Sequence, residues 1–87
     1  MTYRIEFRPS ARKEFNSLPG EIKRRVDSRI LALADKPRPA GAKKLVGADG
    51  LYRIRVGDYR IVYHVGDAIL IVTVVKIGHR REVYRGK

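Results

Sequence analysis

Two Gly-Asp dipeptides, Gly57-Asp58 and Gly66-Asp67, constrain this chain more than any other feature. They separate three apolar runs: Leu51–Val56, Tyr59–Val65 and Ala68–Ile77. A two-residue loop of this composition between alternating apolar residues is a hairpin signal. Two in succession predict three antiparallel strands in a row. The pairing then follows from the turns. Val56 lies opposite Tyr59, Ile54 opposite Ile61 and Tyr52 opposite Tyr63, all on one side of the sheet, the core side. In the second hairpin the same rule sets Tyr63 against Leu70, Ile61 against Val72 and Tyr59 against Val74. It also sets His64 against Ile69, as an edge residue, and Thr73 against Arg60.

Register also places the charges. Arg55 falls opposite Arg60, and Arg53 opposite Val62, on the face away from the core. Like charges directly across a strand pair destabilise it, so an anion between them is the functional reading. A solvated outer face with splayed side chains is the bland one. The run Ala68 to Val75 is apolar on both faces, which predicts a central strand covered on each side. Lys76 and then His79-Arg80-Arg81 leave that strand near the Arg55–Arg60 end, so two basic clusters converge. Tyr84 follows, and a positive pocket with one phenol suits a phosphodiester.

Upstream, Tyr3, Ile5 and Phe7 alternate with Arg4, Glu6 and Arg8, which predicts a half-buried strand. Pro9 ends it, and Ser10 caps a helix with Ala11, Phe15 and Leu18 on its apolar face. Pro19-Gly20 breaks that helix. A second follows with Ile22, Val26, Ile30, Leu33 and Ala34 on one face and Lys23, Arg24, Arg25 and Arg29 on the other. It stops at Asp35-Lys36-Pro37, because the residue before proline resists the α region. Residues 36–50 are a polar connection carrying Lys43 and Lys44, long enough to be functional. The order is β-α-α-β-β-β, an α+β fold in which an antiparallel meander sheet packs against an N-terminal helical hairpin.

Composition narrows the function. Eighty-seven residues predict one domain, residues 1–87. Twenty Lys and Arg against nine Asp and Glu give a formal charge of +11, which favours polyanionic partners, nucleic acid first and an acidic protein second. The chain has no cysteine, which excludes disulfides and thiolate metal sites. Two histidines and few clustered carboxylates leave a catalytic metal without ligands, so no metal or cofactor is expected. The first residues, Met1-Thr2-Tyr3-Arg4-Ile5-Glu6, carry no signal-peptide pattern, and no apolar run reaches the roughly 20 residues of a membrane helix. The expected setting is the cytoplasm, without a membrane partner. No paired acids, Gly-rich nucleotide loop or Ser-His-Asp set is present.

The order of elements, with Lys44-Leu45-x-Gly47, the stretch Leu51 to Tyr63 and the tail Gly78-His79-Arg80-Arg81-Glu82-Val83-Tyr84, resembles the RelE/ParE family of bacterial toxins. The tail draws the resemblance toward RelE. It spans essentially the whole chain. It implies the toxin of a type II toxin–antitoxin pair, an endoribonuclease that cuts mRNA on the 70S ribosome and is silenced by a cognate acidic, RelB-like antitoxin. A ParE-like toxin that inhibits DNA gyrase without nuclease chemistry is the alternative. By resemblance, the catalytic positions are Arg53, Arg55, Arg60, Arg80 and Tyr84. The two on the first meander strand are lysines in well-known members, and arginine stays charged, so those two do not donate protons here. The spacing from Arg80 to Tyr84 is also shorter than in the family. Lys43, Lys44, His79, Arg81, Arg85, Arg24 and Arg25 are the expected RNA contacts.

Overall fold

The computed structural model describes residues 2–47 and 49–79. In chain order these form β1 (Arg4–Phe7), α1 (Pro9–Asn16), α2 (Gly20–Ala32), β2 (Lys43–Lys44), β3 (Leu51–Val56), β4 (Tyr59–Gly66) and β5 (Ile71–His79). The fold is α+β, as the sequence implies. The three consecutive strands pair as a meander, and both flanks gain a strand. The sheet order is β1-β5-β4-β3-β2. β1 joins β5 in parallel, with Ile5 beside Val72 and Phe7 beside Val74. β5 therefore sits between two neighbours, where its apolar run belongs. β2 forms inside the connection and pairs Lys43 with Arg53 and Lys44 with Tyr52.

The first hairpin has the expected register throughout. Val56 faces Tyr59, Ile54 faces Ile61, Arg55 faces Arg60 and Arg53 faces Val62. Gly57 takes φ 59°, which a side chain at the first turn position would resist.

The second hairpin departs from expectation. Gly66 continues β4, and residues 67–70 form a longer loop in which Leu70 carries a φ of 56°. Tyr63 consequently meets Val74 rather than Leu70, and His64 meets Thr73 rather than Ile69. A bulge after Val74 adds one more residue, so Ile61 meets Ile77, Tyr59 meets His79 and Gly78, not Thr73, stands opposite Arg60. The slip at Tyr63 is an even number of residues, so Val72 and Val74 keep their core-facing side. His64 is thus in an interior strand, paired with Leu51 and Thr73, and not at an edge. The reason lies at Asp67, whose carboxylate is held from outside the hairpin (below).

Helix starts also differ in detail. Pro9 is the first residue of α1 rather than the end of β1, with Arg8 at the cap and no side-chain capping bond. Proline suits this place because its missing N–H would have no helical partner. Ser10 lies within the helix. Its apolar face is the expected one: Ala11 and Phe15 are buried and Leu18 packs on them. In α2, Val26 and Ile30 are buried, with Leu33 just past its end. α1 lies against β1 and β5, and α2 lies against β3. Ile54, Ile61, Tyr63, Val72 and Val74 complete the core from the sheet. The other sheet face carries Arg53, Arg55 and Arg60 together with Leu51, Val62, His64 and Thr73.

Candidate active site

One cleft gathers four of the predicted residues, Lys43, Arg53, Arg55 and Arg60. Its lining is Arg29, Gly41, Lys43, Arg53, Ile54, Arg55 and Arg60, around about 450 Å³. Five of these side chains are cations, and none of the described lining residues is a carboxylate. The sheet positions three of them. Arg53 and Arg55 alternate with the buried Ile54 on β3, and Arg60 comes from β4 opposite Arg55. Arg60 is only 6 % exposed. A guanidinium so deeply set has little rotamer freedom, so its fork is held in one orientation before any ligand arrives.

Lys43 reaches the cleft because β2 pairs it with Arg53. Its neighbour Lys44 pairs with Tyr52 and lines a separate depression beside Val46 and Asp49. Helical periodicity predicts an outer-face position for Arg29 on α2. Instead its Nη1 donates to the carbonyl of Arg55 at 3.4 Å, and its side chain becomes a wall of the cleft. The sequence carried one signal for it: Arg25 and Arg29 share a helix face at a spacing of four. Arg24, Arg25, Ser28 and Arg29 line an adjoining depression with Val56, so the basic surface runs from α2 into the cleft without interruption.

His79 is the last residue of β5, not a tail residue beyond it. It pairs with Tyr59, and the two rings meet edge to face at 5.5 Å. It lines a different cleft, with Lys13, Glu14 and Ser17. The structure thus separates it from the arginines. Arg80, Arg81, Tyr84 and Arg85 lie outside the described residues.

Two features that sequence reasoning missed hold this geometry. The first is Glu14 on α1. Its Oε1 accepts the backbone N–H of Ile77 at 2.7 Å, and its Oε2 accepts Lys76 Nζ at 3.1 Å. β1 ends at Phe7 beside Val74, so among the described residues no strand flanks the rest of β5 on that side. A buried N–H without a partner is costly. Glu14 supplies the acceptor there, one residue from the Gly78 that faces Arg60.

The second is a clamp on the 36–42 connection. Arg38 Nε donates to the Tyr52 hydroxyl at 2.9 Å, and its Nη2 donates to Asp67 at 2.6 Å. Tyr3 donates to the other Asp67 oxygen at 2.6 Å. Tyr63 donates to the Pro37 carbonyl at 2.6 Å while its ring stacks with Tyr52. The hydrogen bond from Arg38, and then that from Tyr3, hold the Asp67 carboxyl below its ordinary range. Burial pushes the Tyr63 phenol up to about 12. The clamp fixes the connection between α2 and β2, and so delivers Gly41 and Lys43 to the cleft. It also explains the long second loop: Asp67 is committed to Arg38 and Tyr3 and is drawn out of a tight turn.

Among the described residues no helix is long and apolar enough to cross a membrane, and no group of acidic, His or Cys side chains is arranged to hold a metal.

Comparison with known proteins agrees with this picture. Residues 5–84 match the model of a family described as the ParE toxin of the type II toxin–antitoxin system parDE. The mRNA interferase toxin RelE of Escherichia coli K12 is 32 % identical over 88 residues, covering 97 % of this chain and 92 % of that protein. A mutant of Escherichia coli RelE in the free state superposes with a TM-score of 0.82 at 29 % identity, covering 98 % of this chain and 93 % of the other. The archaeal RelE–RelB complex of Pyrococcus horikoshii gives 0.81 at 33 %, covering 92 % and 97 %. The family model carries the ParE description, whereas these three individual relatives are RelE proteins. Full-length agreement with named relatives decides the branch: this chain belongs to the RelE/ParE family of type II toxin–antitoxin toxins, on the RelE side.

Proposed function

We propose that this chain is a ribosome-dependent endoribonuclease that cleaves mRNA and so arrests translation. The observation that supports it most is the cleft of Arg29, Lys43, Arg53, Arg55 and Arg60, a set of cations with no carboxylate among the described lining residues. Such a set fits a phosphodiester whose negative charge grows during reaction. A surface that only had to grip another protein would not need like charges stacked at Arg55 and Arg60.

The step is transesterification. A base takes the proton of the 2′-hydroxyl, and the 2′-oxygen bonds to the adjacent phosphorus. The bond from phosphorus to the 5′-oxygen breaks, and that oxygen takes a proton from water. The products are a 2′,3′-cyclic phosphate and a 5′-hydroxyl. Arg53, Arg55 and Arg60 stabilise the phosphorane, because planar guanidinium donors match phosphate oxygens in pairs. By resemblance to the family Tyr84 is the base, and a phenol brought near guanidinium groups ionises more readily than a free one. Arg80 stabilises the leaving oxygen. Lys43, Arg24 and Arg25 extend the contact along the nucleic acid. Lys44, His79, Arg81 and Arg85 make peripheral contacts.

The partners follow from charge and kinship. Escherichia coli and Pyrococcus horikoshii RelE have been observed in complex with RelB. A chain of net charge +11 fits an acidic antitoxin of that kind, which covers the cleft and neutralises it, and the work is done in the cytoplasm where ribosomes are. The matching family model carries the ParE name, and the alternative for a ParE-like toxin is inhibition of DNA gyrase. Induction in cells separates the two. Cut messages on ribosomes with normal supercoiling support the nuclease. Blocked supercoiling with whole messages supports the gyrase inhibitor.

A further inference from the structure

A second cleft lies on the same sheet face as the arginines. Arg8, Asp49, Leu51, His64, Thr73 and Val75 line about 390 Å³. Register ties it to the first. Leu51 precedes Arg53 and Arg55 on β3 with the same facing, and His64 follows Arg60 and Val62 on β4. Leu51, His64 and Thr73 stand side by side across three strands. Four residues separate His64 from Arg60, about 13 Å at strand rise. A short length of single-stranded RNA crosses that distance.

The lining has the chemistry of a base pocket rather than of another phosphate site. Leu51, Val75 and the Thr73 methyl give an apolar floor. His64 is exposed and gives a flat ring. The ring also has a fixed backing. Gly50 has φ +79°, and a Cβ there would lie 2.7 Å from His64 Nε2, so the imidazole rests directly on the glycine backbone. Gly50 is held in turn, because its carbonyl accepts the Val65 N–H at 2.8 Å. Asp49 adds an acceptor-only carboxylate, and Arg8 adds a planar donor. Proteins read unstacked RNA bases with this combination, a ring for stacking and polar groups for the base edge. A carboxylate accepts from the exocyclic amine of adenine, cytosine or guanine, and uracil has none to offer.

We propose that this cleft is a nucleobase subsite: it holds a base of the RNA whose phosphate occupies the arginine cleft, and prefers an amino-bearing base over uracil. The proposal rests on the nuclease reading for its biological use, but base binding can be measured without cleavage. The probes are AMP, CMP, GMP, UMP and inorganic phosphate, titrated into the whole chain while the imidazole signals of His64 and His79 are followed by NMR. His64 is expected to shift saturably with at least one amino-bearing nucleotide, several-fold more weakly with UMP, and further than His79 does. His64→Phe keeps a ring and should retain the discrimination, read at the Leu51 and Thr73 amides. His64→Ala should lose it, and Asp49→Ala should bring UMP level with the others. On programmed ribosomes, His64→Ala should flatten the preference for one base of the codon. If His64 stays still while the wild-type protein cuts messages, the subsite falls and the nuclease stands. If phosphate alone moves His64 as far as the nucleotides do, the cleft is a phosphate site and the proposal falls. If His64 responds and no message is cut, the base site stands and the nuclease reading falls.

Discussion

Arg55 stands directly opposite Arg60 across the β3–β4 hairpin, with one guanidinium exposed and the other buried. Such a pair opposes folding, and under the proposed function it serves anion binding. Arg55→Thr should therefore raise stability by about 0.5 kcal/mol, since a β-former replaces a repelled charge. It should also weaken phosphate binding. Urea denaturation at low and at high salt tests this: the gain should shrink as salt screens the pair. A loss of stability at low salt would show that the two charges do not repel in the folded protein.

Glu14 holds the end of β5 that faces Arg60. Glu14→Ala leaves the Ile77 N–H and Lys76 without their acceptor. It should destabilise by about 1–3 kcal/mol, the penalty for a polar group left unsatisfied in a part-buried place. Glu14→Gln keeps an acceptor for the N–H and should cost less. Equal losses for the two would assign the effect to the ion pair alone.

The hairpin turns show how much of the fold the sequence discloses. Gly57-Asp58 is read correctly because everything that decides that turn is local, and the arginine face follows from it. Gly66-Asp67 has nearly the same local chemistry and forms a different loop. What decides it is Arg38 and Tyr3, 29 and 64 residues away, gripping Asp67. Arg29 departs from its expected place for a related reason. A basic residue on a helix is outward by periodicity, yet a long side chain at the helix edge reaches the neighbouring strand. Glu14 is one carboxylate on a short helix, and only the early end of β1 creates the unpaired N–H that it serves.

The Tyr63 phenol gives a pH handle. Burial raises its pKa to about 12, with Tyr52 adding to the rise and Arg38 opposing it. A raised folded pKa means stability is fully present below the ordinary tyrosine value near 10 and is lost as pH rises toward 12. In an absorbance titration the last phenol to ionise should be absent from Tyr63→Phe. The alkaline slope of stability should be shallower in that variant. An unchanged slope would place the linkage on other groups.

Asp67 acts at the other end of the scale. Its carboxyl is held below the ordinary range by Arg38 first and Tyr3 second. A depressed folded pKa means that the clamp contributes above the ordinary carboxylate pKa of about 4 and fails as pH falls through the folded value. Asp67→Asn should make stability less sensitive to acid in that window. It should also loosen the connection that delivers Lys43, which a rise in the amide exchange of residues 36–42 would report.

The central claim is that the arginine cleft is where mRNA is cut, and single-turnover cleavage on programmed ribosomes tests it most directly. The wild-type protein should cut a bound message. Arg60→Ala and Arg53→Ala should each lose roughly 10²–10³-fold, the range for removing one donor from a developing oxyanion. Tyr84→Phe should lose roughly 10²–10⁴-fold while binding ribosomes near the wild-type level, since general base catalysis contributes that much and no charge is removed. Variants at Arg53 and Arg60 that cut at the wild-type rate would contradict the account.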